Sequence, residues 1–153
     1  MIKTRRQFLR SALASLALLK TGLLFPISVF AKWPESVFSK KHPEEALAEL
    51  FGDREITQTD KIVIEMPPGA ENGAIVPIII KTDLKNVQSI SLLAEKNPVA
   101  LLAQFTFSSK GRGEYLRTRI KLAKSSHVIV VVEADGQLCT NKKYIEVLKG
   151  GCD

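Results

Sequence analysis

The stretch EYLRTRIKLAK, from Glu114 to Lys124, alternates between two kinds of side chain. One set is apolar or small: Leu116, Thr118, Ile120 and Leu122. The other is aromatic or basic: Tyr115, Arg117, Arg119 and Lys121. Successive side chains of a strand point to opposite faces, so this alternation predicts a β-strand with its first set in a core and its second set outward.

Six further runs rich in β-branched and aromatic residues lie around this stretch. They are Lys61–Met66, Ala74–Thr82, Val87–Ala94, Ala100–Phe107, His127–Ala134 and Lys143–Leu148. Turn residues separate them, and Asp135-Gly136 is a strong hairpin signal. Short strands at this spacing predict a mainly β fold, an immunoglobulin-like antiparallel β-sandwich of about seven strands, over residues 42–148.

A single helix is predicted before the strands, within the stretch His42–Gly52. Proline suits the first turn of a helix, where its missing N–H would be unpaired anyway. Glu44 and Glu45 favour the positive end of the helix dipole, and Gly52 ends the helix. The fold therefore begins with one short N-terminal helix.

The run Ala74–Ile80 is almost entirely apolar, which predicts burial on both faces. Two explanations stay open: the strand is central in the sandwich, or a second protein covers one face. Pro77 cannot donate to a sheet ladder, so it indicates an edge or bulge position.

The first 31 residues have the pattern of an export signal. Arg5 and Arg6 precede Phe8-Leu9, which is the twin-arginine pattern, and an apolar stretch then runs to a cleavage site after Ala31. This predicts a periplasmic protein with no membrane segment after signal removal, followed by a flexible leader at 32–41. An N-terminal membrane anchor is the alternative reading.

Charge and motifs exclude several function classes. The signal holds five of the 22 basic residues and none of the 16 acidic ones, so the rest has 17 basic and 16 acidic residues, net +1. That balance does not favour nucleic-acid binding. No metal-ligand spacing, P-loop or dinucleotide fingerprint is present in the sequence.

The C-terminal residues 149–153 predict a flexible arm that carries a thiol. Gly150 and Gly151 precede Cys152, and an extended segment here reaches roughly 15 Å from the last ordered element. The alternative is a frayed tail with an incidental cysteine. Cys139 is either a small, partly buried residue or the partner of Cys152 in a disulfide.

Several stretches together resemble the SoxY family of the bacterial thiosulfate-oxidising (Sox) system. They are Ala70–Pro77, Lys96–Pro98, Arg117–Ala123, Val128–Gly136 and Gly150–Cys152. The resemblance implies a non-catalytic carrier subunit that forms a heterodimer with a SoxZ-like partner. It implies that Cys152 holds sulfur intermediates as covalent adducts, such as Cys–S–S–SO₃⁻, with Gly150 and Gly151 as the hinge. It implies no other cofactor, and partner enzymes that load, hydrolyse and oxidise the adduct.

One position departs from the family pattern. The family arm usually ends Gly-Gly-Cys-Gly-Gly, whereas Asp153 follows the thiol here. Its carboxylates are expected to raise the pKa of the Cys152 thiol, because nearby anions disfavour the thiolate. The thiol is then unactivated until a partner binds it.

Other readings of the sequence remain open. Arg117, Arg119 and Lys121 form either a solvated, edge-protecting face or a docking face for an acidic partner. The whole chain is alternatively an exported interaction module whose tail cysteine is incidental or forms a dimer. A thiol-disulfide redox protein using Cys139 and Cys152 is a third reading, but the spacing is not C-x-x-C.

Overall fold

The computed structural model describes residues 35–108 and 115–151. The predicted signal peptide, Cys152 and Asp153 lie outside these residues, as does Glu114, the first residue of one predicted strand.

One α-helix and nine strands make up the described part of the chain. The helix is α1 (Pro43–Phe51), preceded by a 3-10 turn at Val37–Ser39. The strands are β1 (Ile56–Gln58), β2 (Ile62–Glu65), β3 (Gly69–Asn72), β4 (Val76–Thr82), β5 (Val87–Ala94), β6 (Leu101–Thr106), β7 (Tyr115–Ile120), β8 (Ser126–Ala134) and β9 (Gln137–Lys149).

The strands form two sheets, which confirms the predicted β-sandwich. The larger sheet has the order β1-β9-β8-β5-β6, and β3 also pairs with β9. The smaller sheet has the order β2-β4-β7. All seven predicted runs contain a strand, but β9 begins at Gln137 rather than Lys143 and follows β8 through a tight hairpin. Asp135 and Gly136 both have positive φ, at 49° and 74°, as that turn requires.

Two pairings depart from the predicted antiparallel sandwich. Both β1 and β3 run parallel to β9, β1 at its beginning and β3 at its end. Between them β2 crosses to the smaller sheet. Two β2 carbonyls receive side-chain hydrogen bonds from β9: Asn141 donates to Ile62 and Lys143 to Ile64. Along its length, β9 therefore contacts four other strands: β1, β2, β3 and β8.

The domain has three layers and two apolar clusters. The larger cluster fills the space between the sheets and includes Ile80, Val130 and Ile145, each fully buried. The smaller cluster lies where α1 and the 3-10 turn pack on the larger sheet, through residues such as Ala46 and Val131. In the described part of the chain, no helix is long and apolar enough to cross a membrane.

The region before α1 is more ordered than a flexible leader. Val37 is only 2 % exposed and belongs to the smaller cluster. The Lys40 carbonyl accepts a hydrogen bond from the Ala100 amide at 2.9 Å. Val37–Lys40 therefore belongs to the packed domain, which corrects the predicted leader at 32–41 for these residues.

The prediction that Ala74–Ile80 is buried on both faces is wrong for this chain alone. Val76, Ile78 and Ile80 are buried, but Pro77 is exposed and Ile79 only half-buried. The outer face of β4 is therefore open. Pro77 lies beyond the end of β2, which pairs only with Ile79–Thr82, so β4 is an edge at that point, as its proline predicts.

Candidate functional site at the root of the C-terminal arm

The end of β9 is held by β3 on one side. Gly69, Ala70 and Asn72 pair with Glu146, Val147 and Lys149 in parallel register. The ladder continues one step further, since the Gly73 amide donates to the Lys149 carbonyl at 2.8 Å. Lys149 is thus the last residue of a strand. The three residues Lys149–Gly151 are called the arm root below.

A second segment, the connection from β7 to β8, holds the arm root from the other side. The Leu122 amide donates to the Gly73 carbonyl at 2.8 Å, and the Gly151 amide donates to the Leu122 carbonyl at 3.0 Å. Ser125 adds two hydrogen bonds to the Val147 backbone, accepting from its amide at 2.8 Å and donating to its carbonyl at 3.3 Å. The β3–β4 turn, the β7–β8 connection and the arm root therefore form one network.

Asn97 fixes the β7–β8 connection from behind. The residue is 8 % exposed, and its side chain uses both ends of the amide. It donates to the Lys121 carbonyl and accepts from the Ala123 amide, each at 2.8 Å. A buried amide that satisfies two flanking backbone groups holds the intervening Leu122 in place.

The glycines of the arm root lie directly against backbone. A Cβ on Gly150 would overlap the Ala123 carbonyl oxygen, and a Cβ on Gly151 would overlap the Ala74 amide. Gly73 faces the same restriction, because its Cβ would overlap the Leu122 carbonyl oxygen. We call the backbone of Gly73, Ala74, Leu122 and Ala123 the cradle. Only glycine allows the arm root to approach it this closely.

The predicted basic residues lie on the smaller sheet, beside the cradle. Arg117, Arg119 and Lys121 are all exposed, and we call them the basic face. Arg119 is paired with Pro77 and Arg117 with Ile79 across the β4–β7 ladder. Among the described residues, no carboxylate forms an ion pair with either arginine.

The smaller sheet also has an ion pair, between Lys81 and Glu65, and several exposed apolar side chains. Lys81 donates to Glu65 at 2.6 Å, and this hydrogen bond raises the pKa of Lys81 above its usual value. Ile75 is 65 % exposed, Tyr115 52 % and Val63 48 %. A shallow groove lined by Ile75, Pro77 and Arg117–Arg119 begins one residue from Ala74 of the cradle. Exposed apolar groups with polar or charged side chains beside them are typical of a protein-binding surface.

Cys139 lies in the core between the sheets, far from the arm root. It is a free thiol, 9 % exposed, opposite Val132 of β8. Cys139 and Lys149 are ten residues apart on one continuous strand, roughly 33 Å. The three residues that follow reach back at most roughly 11 Å, whereas a disulfide needs Cα atoms about 4–7 Å apart. The arm root therefore lies well beyond disulfide range of Cys139.

The network includes residues that sequence reasoning did not assign to the site. Gly73, Asn97 and Ser125 all contribute, and the first two lie in stretches that carried the family resemblance. A glycine directly before an apolar run and an asparagine before Pro98 were the available signals. In the described part of the chain, no group of three or more His, Cys, Asp or Glu side chains is placed to hold a metal ion.

The fold and the site together define a two-sheet β-sandwich whose C-terminal strand continues into a glycine pair held against the domain. A family model described as "Sulfur oxidation protein SoxY" matches residues 47–152. The chain belongs to the SoxY family, which confirms the resemblance seen in the sequence.

Solved structures agree with this assignment. The sulfur carrier protein SoxY from Chlorobium limicola f thiosulfatophilum is similar at 31 % identity with a TM-score of 0.63, covering 75 % of this chain and 99 % of that one. Superoxide reductase (neelaredoxin) from Ignicoccus hospitalis has a TM-score of 0.54 at 15 % identity, covering 60 % and 94 %. The second likeness concerns the fold alone. No curated protein matched the sequence.

Proposed function

We propose that the chain is a covalent sulfur carrier in thiosulfate oxidation, with intermediates held on Cys152 and presented to partner enzymes. The observation that carries the proposal is the family match, which extends through residue 152 and so includes the thiol. The 31 % identical relative is itself described as a sulfur carrier protein. The chain acts as a non-catalytic subunit, and its sulfur adduct takes the place of a cofactor.

The geometry supports this role, because it separates the thiol position from the core. The other cysteine, Cys139, is buried between the sheets and does not compete for partners. Cys152 follows Gly151 directly, and Gly151 is a half-buried residue that contacts Ala74 and Leu122. A thiol one residue beyond this contact is proposed to reach another protein.

Loading is an oxidation that the chain does not perform alone. An S–S bond forms between Cys152 Sγ and the outer sulfur of thiosulfate, giving Cys–S–S–SO₃⁻. The thiol proton passes to solvent, and two electrons pass to an oxidising partner enzyme. The thiolate is the reactive form, so a partner site that favours it also accelerates loading.

An adduct experiment tests the carrier role. The chain is incubated with thiosulfate and the oxidising partner enzymes, and intact masses are taken of wild type, Cys152→Ser and Cys139→Ser. We expect an adduct of one thiosulfate on wild type and on Cys139→Ser, and none on Cys152→Ser. An unmodified wild type under loading conditions favours instead an interaction module with an incidental tail cysteine.

The proposed partner is a SoxZ-like subunit that docks on the basic face and forms a heterodimer. Arg117 and Arg119 have no described counter-ion, and exposed Ile75 and Tyr115 supply apolar area beside them. Association through such a face is steered by charge and weakens with salt. The double variant Arg117→Glu/Arg119→Glu is expected to slow association at low salt at least tenfold. Lys142→Glu, an exposed charge reversal on the larger sheet, is the control, and an equal effect of both would refute the docking face.

The proposed compartment is the periplasm, reached by the twin-arginine pathway. This rests on the sequence pattern around Arg5 and Arg6. Replacing both by lysine keeps the charge but removes the guanidinium pair. The variant is expected to stay in the cytoplasm at full length, whereas export at the wild-type level would argue against this pathway.

A further inference from the structure

We infer that Gly150 and Gly151 are a docking element that holds the arm root in the cradle of the free chain. A simple hinge requires only that two glycines be free to rotate. The structure shows more than this, because both glycines lie against backbone at distances that no other residue permits. The Gly151 amide is also paired, to the Leu122 carbonyl.

The cradle is itself built from close backbone contact. Gly73 is buried, its amide bonds Lys149 and its carbonyl accepts from Leu122. A Cβ on Gly73 would lie 3.0 Å from a Val147 methyl group and 3.1 Å from the Gly151 nitrogen, besides overlapping Leu122. The three glycines therefore form a matched set, with one in the cradle and two in the arm root.

Asn97 acts as a positioning residue for this docking. It does not contact the arm root, but it holds the carbonyl of Lys121 and the amide of Ala123. The acceptor for Gly151 is the carbonyl of Leu122, which lies between them. Loss of the Asn97 amide therefore weakens the hold on Gly151 indirectly.

Docking sets how far the thiol extends. While the root is docked, Gly151 is the last residue that the cradle holds. Release of Lys149–Gly151 adds three residues, roughly 10 Å of reach. A partner that accepts the thiol near the surface binds the docked form, whereas one that needs the extra length displaces the root. This consequence rests on the proposed carrier role, but the docking itself does not.

Amide hydrogen exchange on the full chain tests the docking without any partner enzyme. In wild type we expect the amides of Gly73, Leu122 and position 151 to be protected at least tenfold over an unstructured peptide. Gly151→Ala is expected to abolish protection at position 151 and to reduce it at Gly73. The control is Gly69→Ala in β3, whose added Cβ meets only Glu146, at 3.7 Å from its carbonyl oxygen and 4.0 Å from its Cβ, both ordinary contacts.

Two further measurements complete the test. The Val130 amide in the centre of β8 reports the core and is expected to keep its protection in every variant. Alkylation of Cys152 by a bulky maleimide is expected to be several-fold faster in Gly151→Ala than in wild type or Gly69→Ala. An unprotected amide at position 151 in wild type, or unchanged exchange and alkylation in Gly151→Ala, overturns the docking. Hydrogen exchange and alkylation do not measure adduct formation. A result that overturns the docking therefore leaves the carrier role untouched, and the two proposals fail separately.

Discussion

Replacement of Asn97 by alanine is the sharpest test of how the site is built. Asn97 is 8 % exposed and makes two 2.8 Å hydrogen bonds, to the Lys121 carbonyl and from the Ala123 amide. Truncation leaves both backbone groups without that partner, and a buried group left unpaired costs about 1–3 kcal/mol. Lys121 is exposed and Ala123 half-buried, so water partly replaces the amide. The lower end applies to each group, and we expect a total loss of about 2 kcal/mol in the free energy of unfolding.

Urea unfolding followed by far-UV circular dichroism measures this loss, provided that the denaturant slope is unchanged. Gln104→Ala is the matched control, because Gln104 is an exposed amide on β6, and a surface change of this kind stays within about 0.5 kcal/mol. Asn97→Asp separates the contributions of the two hydrogen bonds. Its carboxylate still accepts from the Ala123 amide, but it places negative charge beside the Lys121 carbonyl. Its stability relative to wild type is therefore expected to improve as pH falls and the acid regains a donor. A loss in Asn97→Ala no larger than in Gln104→Ala would refute the reasoning.

Three further predictions concern the two sheets and the thiols. The native chain is expected to show one alkylation-reactive thiol and the unfolded chain two, since Cys139 is buried; two fast thiols in the native chain would contradict its placement. Ile145→Ala removes a fully buried side chain between the sheets and is expected to cost about 2–5 kcal/mol in chemical denaturation, whereas a loss under 1 kcal/mol would mean that the core is packed otherwise. Gly136→Ala places a side chain at a φ of 74° in the β8–β9 turn and is expected to cost about 1 kcal/mol by the same method, with an unchanged midpoint arguing against this turn.

Local sequence predicted those parts of the fold whose signals are local. The period-2 pattern of residues 115–120 placed β7 with the correct face inward, because burial on one face requires that alternation. Pro43 and Gly52 bounded α1 correctly, and Asp135-Gly136 marked the hairpin because both residues accept positive φ. These features depend on backbone preferences of a few adjacent residues.

The sequence pattern did not predict the two short polar strands, β1 and β3. β1 and β3 contain three and four residues and have no fully buried side chain. Each exists because β9 offers it a parallel edge, at Leu138–Thr140 and at Glu146–Lys149. Pairing between residues about eighty apart leaves no periodic signal in either partner, so only the assembled sheet reveals it.

The sequence by itself determined the family, the sandwich and the presence of a thiol after two glycines. Only the tertiary structure decided what those glycines contact. In isolation Gly150-Gly151 indicates freedom of rotation, because glycine is the least restricted residue. In the fold the same absence of side chains lets the arm root lie against Ala74 and Ala123, where any Cβ would overlap backbone. Which of the two properties matters depends on neighbours from distant parts of the chain, and local sequence does not encode them.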